Sequence, residues 1–357
     1  MKKYKIWTFI FILLSFLAIF FVAIFNYIVD PHYQFRMAKI YGVYWADNGR
    51  MKGSGIVKNY KHNSLIVGSS MSKDFLYSDL ERIFVNPLKM TFSGSRPHEL
   101  NILINRSFKY NNLKNIMLDL HIDSLCSNKN EVIFDELQRD LYFDKNIYRY
   151  IFNVDVARSG FLNLYKNCKK NSSTLHCNIE TAFFRLPKDD FCPTNSPACI
   201  IKYSLKRVLK YENIVENFTF NYLPIVEAHP ETKFIFFYPP YAITEFKNWQ
   251  EEGLIEQIEK IKLTIAEYTK KYKNVEIYDF SDAYSIVSNL NLHTDSMHYH
   301  PKVNSWMLWR IKEKDKRFLV NLDNYEKRLS EFRNFVKNFN LEKDLIDLKI
   351  DEFDPQS

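Results

Sequence analysis

The sequence predicts an α/β domain with a parallel sheet flanked by helices, because short apolar runs alternate with segments of helical spacing. Wholly apolar strands of this kind are typical of parallel sheets that helices cover on both faces. The runs that we interpret as strands are 64–67, 88–92, 115–120, 234–238 and 275–278. The helices predicted between them are 75–84, 97–110 and 253–272.

We expect four parts along the chain. They are a transmembrane anchor (6–29), a juxtamembrane segment (30–62), the α/β domain (63–315) and a charged helical C-terminal extension (316–357). An insertion at about 123–231, helical at both ends, separates the third and fourth strands. Hydrophobic residues make up 46% of the chain and charged residues 25%, so it can bury a core. Lysine and arginine exceed the acids only by 49 to 42 and are spread along the chain, which does not favour nucleic-acid binding.

The N-terminal segment predicts a membrane anchor. No charged residue lies between Lys5 and Asp30, and about 20 apolar residues cross a bilayer. Three lysines precede the span, which places the N-terminus in the cytoplasm and the rest on the periplasmic or extracellular side. A cleaved signal peptide is the alternative, but its apolar core is about 7–15 residues long and ends at small residues, which are missing here. We therefore expect a retained single-pass anchor.

Four cysteines, Cys168, Cys177, Cys192 and Cys199, lie close together in the predicted insertion. Such loops outside the cytoplasm are often stapled by disulfides, most simply between neighbours here, although four cysteines allow three pairings. A zinc site is the alternative, which the irregular gaps and the lack of a Cys-x-x-Cys pair disfavour. Cys126 is expected to be a buried thiol.

Two glycine turns follow the first two strands, where functional groups gather in an open α/β sheet. Gly68-Ser69-Ser70 comes after the first strand. A glycine permits a tight turn there, and a serine that opens a helix exposes its hydroxyl beside the helix amides. A serine that only caps a helix is the simpler alternative. Gly94 comes after the second strand, where backbone amides can approach a ligand.

Late in the chain, Asp295 and His298 are three residues apart. One turn brings such a pair together, so the carboxylate can fix the tautomer of an imidazole that acts as a base. Two alternatives remain open. Asp295 with His293, His298 and His300 is a candidate metal site, and the segment could also be a polar surface loop. Acyl transfer by a serine needs no cofactor, and we expect none.

Taken in chain order, these motifs resemble those of the SGNH, or GDSL-like, hydrolase superfamily, over about 60–125 and 230–315. The chain looks most like its membrane-anchored branch, which includes the teichoic acid D-alanylation protein DltD and the O-acetylation proteins of exported polysaccharides. The resemblance implies a flavodoxin-like three-layer sandwich and acyl transfer outside the cytoplasm. It implies Ser70 as the nucleophile, His298 as the base, Asp295 as its orienting acid and the amides of Ser70 and Gly94 as the oxyanion hole. The implied partners are an acylated cell-envelope polysaccharide and a multi-pass membrane acyltransferase.

One position departs from that family. Its third block often supplies an asparagine to the oxyanion hole, whereas this chain has Asp119. An ionised carboxylate cannot donate a hydrogen bond, so this contribution is absent, comes from a protonated Asp119, or comes from a neighbour such as His121. Two hypotheses follow: a serine esterase or O-acyltransferase, and a non-catalytic glycan-binding or scaffolding partner of the multi-pass acyltransferase.

Overall fold

The computed structural model describes residues 2–43, 45, 49–166 and 211–356. The strands are β1 (Ser64–Gly68), β2 (Pro87–Thr91), β3 (Asn115–Asp119), β4 (Lys233–Tyr238) and β5 (Val275–Asp279). The helices that precede β4 are α1 (Lys2–Val29), α2 (Gly49–Asn59), α3 (Tyr77–Leu80), α4 (Pro97–Tyr110), α5 (Ile122–Leu125), α6 (Glu136–Tyr142), α7 (Ile147–Ile151), α8 (Val154–Lys166), α9 (Tyr211–Asn221) and α10 (Leu223–Ala228). Those that follow it are α11 (Ile243–Glu251), α12 (Ile255–Thr269), α13 (Tyr284–Val287), α14 (Pro301–Lys312) and α15 (Leu322–Asn338). Two short 3-10 turns cover Ser70–Ser72 and Leu290–Leu292.

The five strands form one wholly parallel sheet in the order β2-β1-β3-β4-β5. Their interiors are buried because the strands are apolar along their length. The predicted α/β class with a helix-flanked parallel sheet is therefore confirmed. Since β1 lies between β2 and β3, the segments that follow these three strands leave the sheet side by side.

The predicted helix 75–84 is wrong in length, because only α3 and a series of turns occupy it. The buried ammonium of Lys89 donates a hydrogen bond to the Phe75 carbonyl. The Leu76 carbonyl instead accepts the first amides of α3, those of Asp79 and Leu80. The Phe75 carbonyl thus bonds to β2, and the described amide bonds of α3 begin at Leu76.

The chain divides into two compact units, which we describe separately. The first comprises Met1–Lys61, Arg106–Asn111 and Phe134–Ala182. The second comprises His62–Asn105, Asn112–Ile133 and Phe183–Ser357 and contains the sheet. The juxtamembrane segment thus groups with part of the predicted insertion, and α15 of the predicted extension belongs to the second unit. Cys168, Cys177, Cys192 and Cys199 lie outside the described residues, so their pairing stays a prediction.

In the first unit, α1 contains an apolar stretch, Tyr4–Val29, with a mean hydropathy of 2.9. Its length and composition are those of a membrane span, which a signal sequence near the N-terminus also has. The end of α1 is part of the folded unit. The Asn26 side-chain amide is buried and donates to the carbonyls of Ile151 and Asn153 at 2.8 Å. The buried Asp30 accepts the hydroxyl of Tyr150 at 2.9 Å.

In the second unit, α15 is fixed by buried charges at the end of β5. The ammonium of Lys262 lies 3.0 Å from a carboxylate oxygen of Asp279, which also accepts the Tyr325 hydroxyl at 2.6 Å. Burial alone would raise the pKa of Asp279, but the charges of Lys262 and Arg328 lower it below its ordinary value. Arg328 also contacts Asp282 at 2.6 Å. Cys126, expected to be buried, is half-buried at the end of α5.

Candidate active site

The turn after β1 is tight because Asp119 of β3 lies directly against it. The Ser69 amide donates to Oδ2 of Asp119 at 2.8 Å, and the Ser72 hydroxyl donates to the same oxygen at 2.5 Å. A Cβ atom on Gly68 would lie 2.1 Å from that oxygen and 2.7 Å from Oγ of Ser72. Only glycine fits at this position, and the carboxylate holds the turn so that Ser70 opens the 3-10 turn.

The oxyanion contribution at Asp119 stays a prediction. One oxygen of its carboxylate is an acceptor inside the turn, and the residue is buried. Burial raises the pKa of Asp119. The hydrogen bond from Ser72, the charge of His121 and the hydrogen bond from Ser69 lower it, but by less than burial raises it. Nδ1 of the neighbouring His121 lies 2.7 Å from the Tyr241 hydroxyl.

Asp119→Asn is expected to raise the melting temperature. The pKa of Asp119 is raised above its ordinary value of 3.8 in the folded protein, so the folded state binds the carboxyl proton more tightly than the unfolded chain does. This contribution to stability is complete below pH 3.8 and is lost as the pH rises through the folded pKa. The amide removes the charge and keeps an oxygen for Ser69 and Ser72. The gain should be clear near pH 7 and small near pH 4, which thermal melts at the two pH values measure.

Asp119→Ala is the matched comparison. It leaves the Ser69 amide and the Ser72 hydroxyl without their acceptor, which costs about 1–3 kcal/mol for a buried donor. A lower melting temperature for the asparagine variant at both pH values would contradict this account of Asp119.

Ser70, His298 and Asp295 form a continuous hydrogen-bonded chain. Nε2 of His298 lies 2.8 Å from Oγ of Ser70, and Nδ1 lies 2.7 Å from Oδ2 of Asp295. An ionised carboxylate can only accept, so the ring hydrogen belongs on Nδ1. Nε2 is then left to accept the hydrogen of the Ser70 hydroxyl, which is the arrangement that activates a serine nucleophile.

The loop that carries Asp295 and His298 closes on itself. The second carboxylate oxygen of Asp295 accepts the amides of Met297 and His298, at 2.8 and 2.7 Å. Burial alone would raise the pKa of Asp295, but the His298 ring and these two amides lower it below its ordinary value. Asp295 therefore stays ionised beside the imidazole at neutral pH.

Gly94 lies in the turn after β2 with a φ of +61°, in the left-handed region that favours glycine. Apart from its two chain neighbours, no atom of the described residues lies within 4 Å of the place where its Cβ would be. Among the described residues, the backbone amides of Ser70 and Gly94 donate no hydrogen bond to another group of the protein. Two amides without an internal acceptor are what an oxyanion hole requires.

The other histidines of the motif support the loop. The buried His293 has its ring nitrogens 3.1 Å from the Asn289 carbonyl and 3.2 Å from the Pro240 carbonyl. His300 caps α14 by accepting the Lys302 amide. Within the described residues, therefore, the loop does not gather its histidines as a metal site would. Sequence reasoning missed Tyr299, whose buried hydroxyl donates to the Met71 carbonyl at 2.9 Å and so ties this loop to the serine turn.

The C-terminal tail is bonded to both sides of the same loop. The Asn289 side chain donates to the Leu348 carbonyl at 2.9 Å, and the Ile346 amide donates to the Ser288 carbonyl at 3.0 Å. On the other side, the Lys302 ammonium donates to the Ile350 carbonyl at 2.8 Å. These contacts hold both ends of the segment that carries Asp295 and His298.

Removal of residues 345–357 is expected to loosen that segment. A displacement of the base by about 1 Å can cost about 100-fold in rate, so we expect kcat to fall by 10-fold to 100-fold with a lower melting temperature. Ester cleavage and thermal melting measure this. Removal of only 355–357 keeps the three hydrogen bonds and should change neither. If the longer truncation behaved like the shorter one, the tail would have no positioning role.

Together, the sheet and the site define an α/β protein with a serine, histidine and aspartate in hydrogen-bonded order at the carboxyl ends of its strands. No protein-family model matches the chain, and no curated protein sequence matches it. Solved structures that match include one from Streptococcus pneumonia, provisionally described as a platelet activating factor. The two chains share 12% sequence identity and superpose with a TM-score of 0.41. The alignment covers 75% of this chain and 90% of the solved one. A likeness of this degree carries no functional argument.

Proposed function

We propose that the protein is a serine esterase or O-acyltransferase of SGNH type that forms an acyl-serine intermediate at Ser70. The observation that carries the proposal is the chain from Ser70 through His298 to Asp295, with hydrogen-bond lengths of 2.8 and 2.7 Å. The contact between Ser70 and His298 does not follow from a helix cap alone, because the two residues are 228 residues apart.

The proposed reaction has two halves. Oγ of Ser70 attacks the acyl carbonyl while Nε2 of His298 takes the hydroxyl proton, and the amides of Ser70 and Gly94 hold the oxyanion. The tetrahedral intermediate expels the alcohol, which receives the proton from His298. Water or a sugar hydroxyl then gives its proton to His298 and attacks the acyl-serine. The second tetrahedral intermediate expels Oγ of Ser70, which takes that proton back from His298, and the product is the free acid or the transferred ester.

A fluorophosphonate probe tests the nucleophile. The full chain in detergent should be labelled once, at Ser70, because the reagent reacts with serines that a base activates. Ser70→Ala should lose the label and Ser69→Ala should keep it. Labelling that persisted in Ser70→Ala would place the reactive group elsewhere.

We propose that α1 is a retained anchor and that the rest of the chain lies outside the cytoplasm, where the membrane-anchored SGNH branch acts. The buried Asn26 and Asp30 support retention, because cleavage near the end of α1 would remove contacts of the folded unit. Externally added protease should digest the chain in intact spheroplasts. Digestion only after membrane rupture would contradict this topology.

The proposed substrate is an acylated cell-envelope glycan, and a multi-pass membrane acyltransferase is the proposed partner that delivers the acyl group. The contacts of Asp119 favour a second candidate, a non-catalytic glycan-binding or scaffolding protein, because they withhold a third oxyanion donor at β3. The fluorophosphonate test separates the two. A folded chain that took no label would favour the scaffold.

A further inference from the structure

A row of apolar side chains is exposed on the first unit. Val154, Phe161, Leu162 and Tyr165 project from one side of α8 and are 70%, 54%, 47% and 88% exposed, and Phe152 just before the helix is 50% exposed. We call these five residues the interfacial surface. The four that belong to α8 are spaced as residues of one helix face are. Contiguous apolar surface of this kind marks a binding site or a contact with membrane.

The same helix lies against the end of α1. The ring of Phe161 stacks on that of Phe25, with 4.2 Å between centroids. A Cβ atom on Gly160 would lie 2.8 Å from the Phe25 ring and 3.2 Å from Val29, so glycine lets the two helices approach closely. The interfacial surface is therefore continuous with the apolar side chains of α1 that are exposed before Phe25.

These contacts set the depth of α8 relative to the apolar stretch. Phe25 lies four residues before Val29, the end of that stretch, which is about 6 Å at 1.5 Å per residue. Asn26, whose amide donates to the Ile151 and Asn153 carbonyls, lies at the same level. The headgroup region on each side of a bilayer is about 5–8 Å thick. If α1 spans the bilayer, the elements that contact Phe25 and Asn26 therefore lie within the headgroup region.

Charged and aromatic groups at the end of α1 mark the same boundary. Arg36 donates to the Tyr27 carbonyl at 2.8 Å, and its guanidinium lies 4.8 Å from the centre of the Tyr27 ring. Arginine and tyrosine at the end of a span are typical of the interface between hydrocarbon and water. The exposed Arg158 lies among the apolar residues of α8, where lipid phosphates would meet it.

We infer that the interfacial surface lies in the headgroup and upper acyl region of the membrane that α1 crosses, so that lipid, and not a protein, covers it. Helices that lie in this region bury their apolar face by about 5–10 Å, which matches the depth set by Phe25. The inference rests on the proposed anchor. It adds a second contact with the bilayer, which fixes the orientation of the first unit beside the span.

Lipid photolabelling of the full chain tests this. The protein is reconstituted in phosphatidylcholine vesicles that contain a phosphatidylcholine with a diazirine near the start of its acyl chain, irradiated and mapped by mass spectrometry. We expect label on α1 and on the peptide that contains 161–165. The double variant Leu162→Glu with Tyr165→Glu should lose the second label and keep the first, because charge then replaces the apolar area that holds α8 in this region. Both side chains are exposed, so the melting temperature and fluorophosphonate labelling should not change.

Val85→Glu is the matched control, since Val85 is an apolar residue of the second unit with 68% exposure. It should leave both labels unchanged. Label on α1 without label on the α8 peptide would overturn the inference and leave the anchor intact. No label on α1 would overturn the anchor as well, whereas the reactivity of Ser70 is measured independently. Cross-linking that joined two copies through the α8 peptide, with the lipid label excluded, would identify a second copy as the occupant and overturn the inference.

Discussion

Ser70→Ala is expected to remove nearly all ester cleavage or acyl transfer, and His298→Ala is expected to do the same. A serine hydroxyl is a weak nucleophile until a base takes its proton, and Nε2 of His298 lies 2.8 Å from Oγ of Ser70. In serine enzymes, loss of either residue costs on the order of 10⁶-fold in kcat. The double variant should be little worse than either single one, since the two residues act as a unit. The measurement is turnover by purified variants, with thermal melting to exclude unfolding.

Ser69→Ala is the control for this pair. The Ser69 hydroxyl accepts the Met71 amide at 3.2 Å and has no contact with His298 among the described hydrogen bonds. Its loss removes a cap worth about 0.5–2 kcal/mol and should leave most activity. If Ser69→Ala lost activity and Ser70→Ala kept it, the nucleophile would lie one residue earlier. If both kept activity, the scaffolding hypothesis would replace the catalytic one.

The sequence predicted the sheet because local patterns determine it. Each apolar run became a strand, within one residue at either end, since a strand buried on both faces needs apolar side chains along its whole length. A parallel sheet also brings the carboxyl ends of its strands to one edge. The adjacency of the turns that contain Ser70 and Gly94 therefore followed from the fold class.

Contacts between distant segments could not be predicted in the same way. The Phe75 carbonyl before α3 accepts the ammonium of Lys89 from β2, and the turn at Ser70 is held by Asp119, fifty residues from the Ser69 amide that it accepts. The first unit joins the end of α1 to Tyr150, 120 residues from Asp30. No spacing in the sequence indicates such pairs, because loop closure can bring any two of these positions together.

The pairing of Asp295 with His298 was predicted from their spacing, but the structure achieves it differently. We expected one helical turn. The segment is instead a loop closed by a bridge between His293 and Tyr299, in which one oxygen of Asp295 accepts the amides of Met297 and His298. A short carboxylate side chain can accept the backbone amides two and three residues later in the chain. This brings the Asp295 carboxylate as close to the His298 ring as one helical turn would.

That loop makes Asp295→Asn an informative substitution. The asparagine oxygen can still accept the amides of Met297 and His298, so the loop should keep its shape. The side-chain amide then faces Nδ1 of His298 as a donor, and the ring must accept there and carry its hydrogen on Nε2. A protonated Nε2 cannot take the proton of Ser70. We expect kcat to fall on the order of 10⁴-fold, as when the aspartate of a serine-protease triad becomes asparagine.

The stability of this variant should depend on pH in the direction that the pKa of Asp295 sets. That pKa is lowered in the folded protein, so the ionised side chain contributes stability above its ordinary value of 3.8, and the contribution is lost as the pH falls through the folded pKa. Asp295→Asn should therefore melt below the wild-type protein near neutral pH, and the difference should shrink under acid conditions. Asp295→Ala removes the loop hydrogen bonds as well and should melt lower still, with a similar loss of rate. Wild-type turnover by a folded Asp295→Asn would mean that the carboxylate does not set the tautomer of His298, and would leave Ser70 and His298 as a dyad.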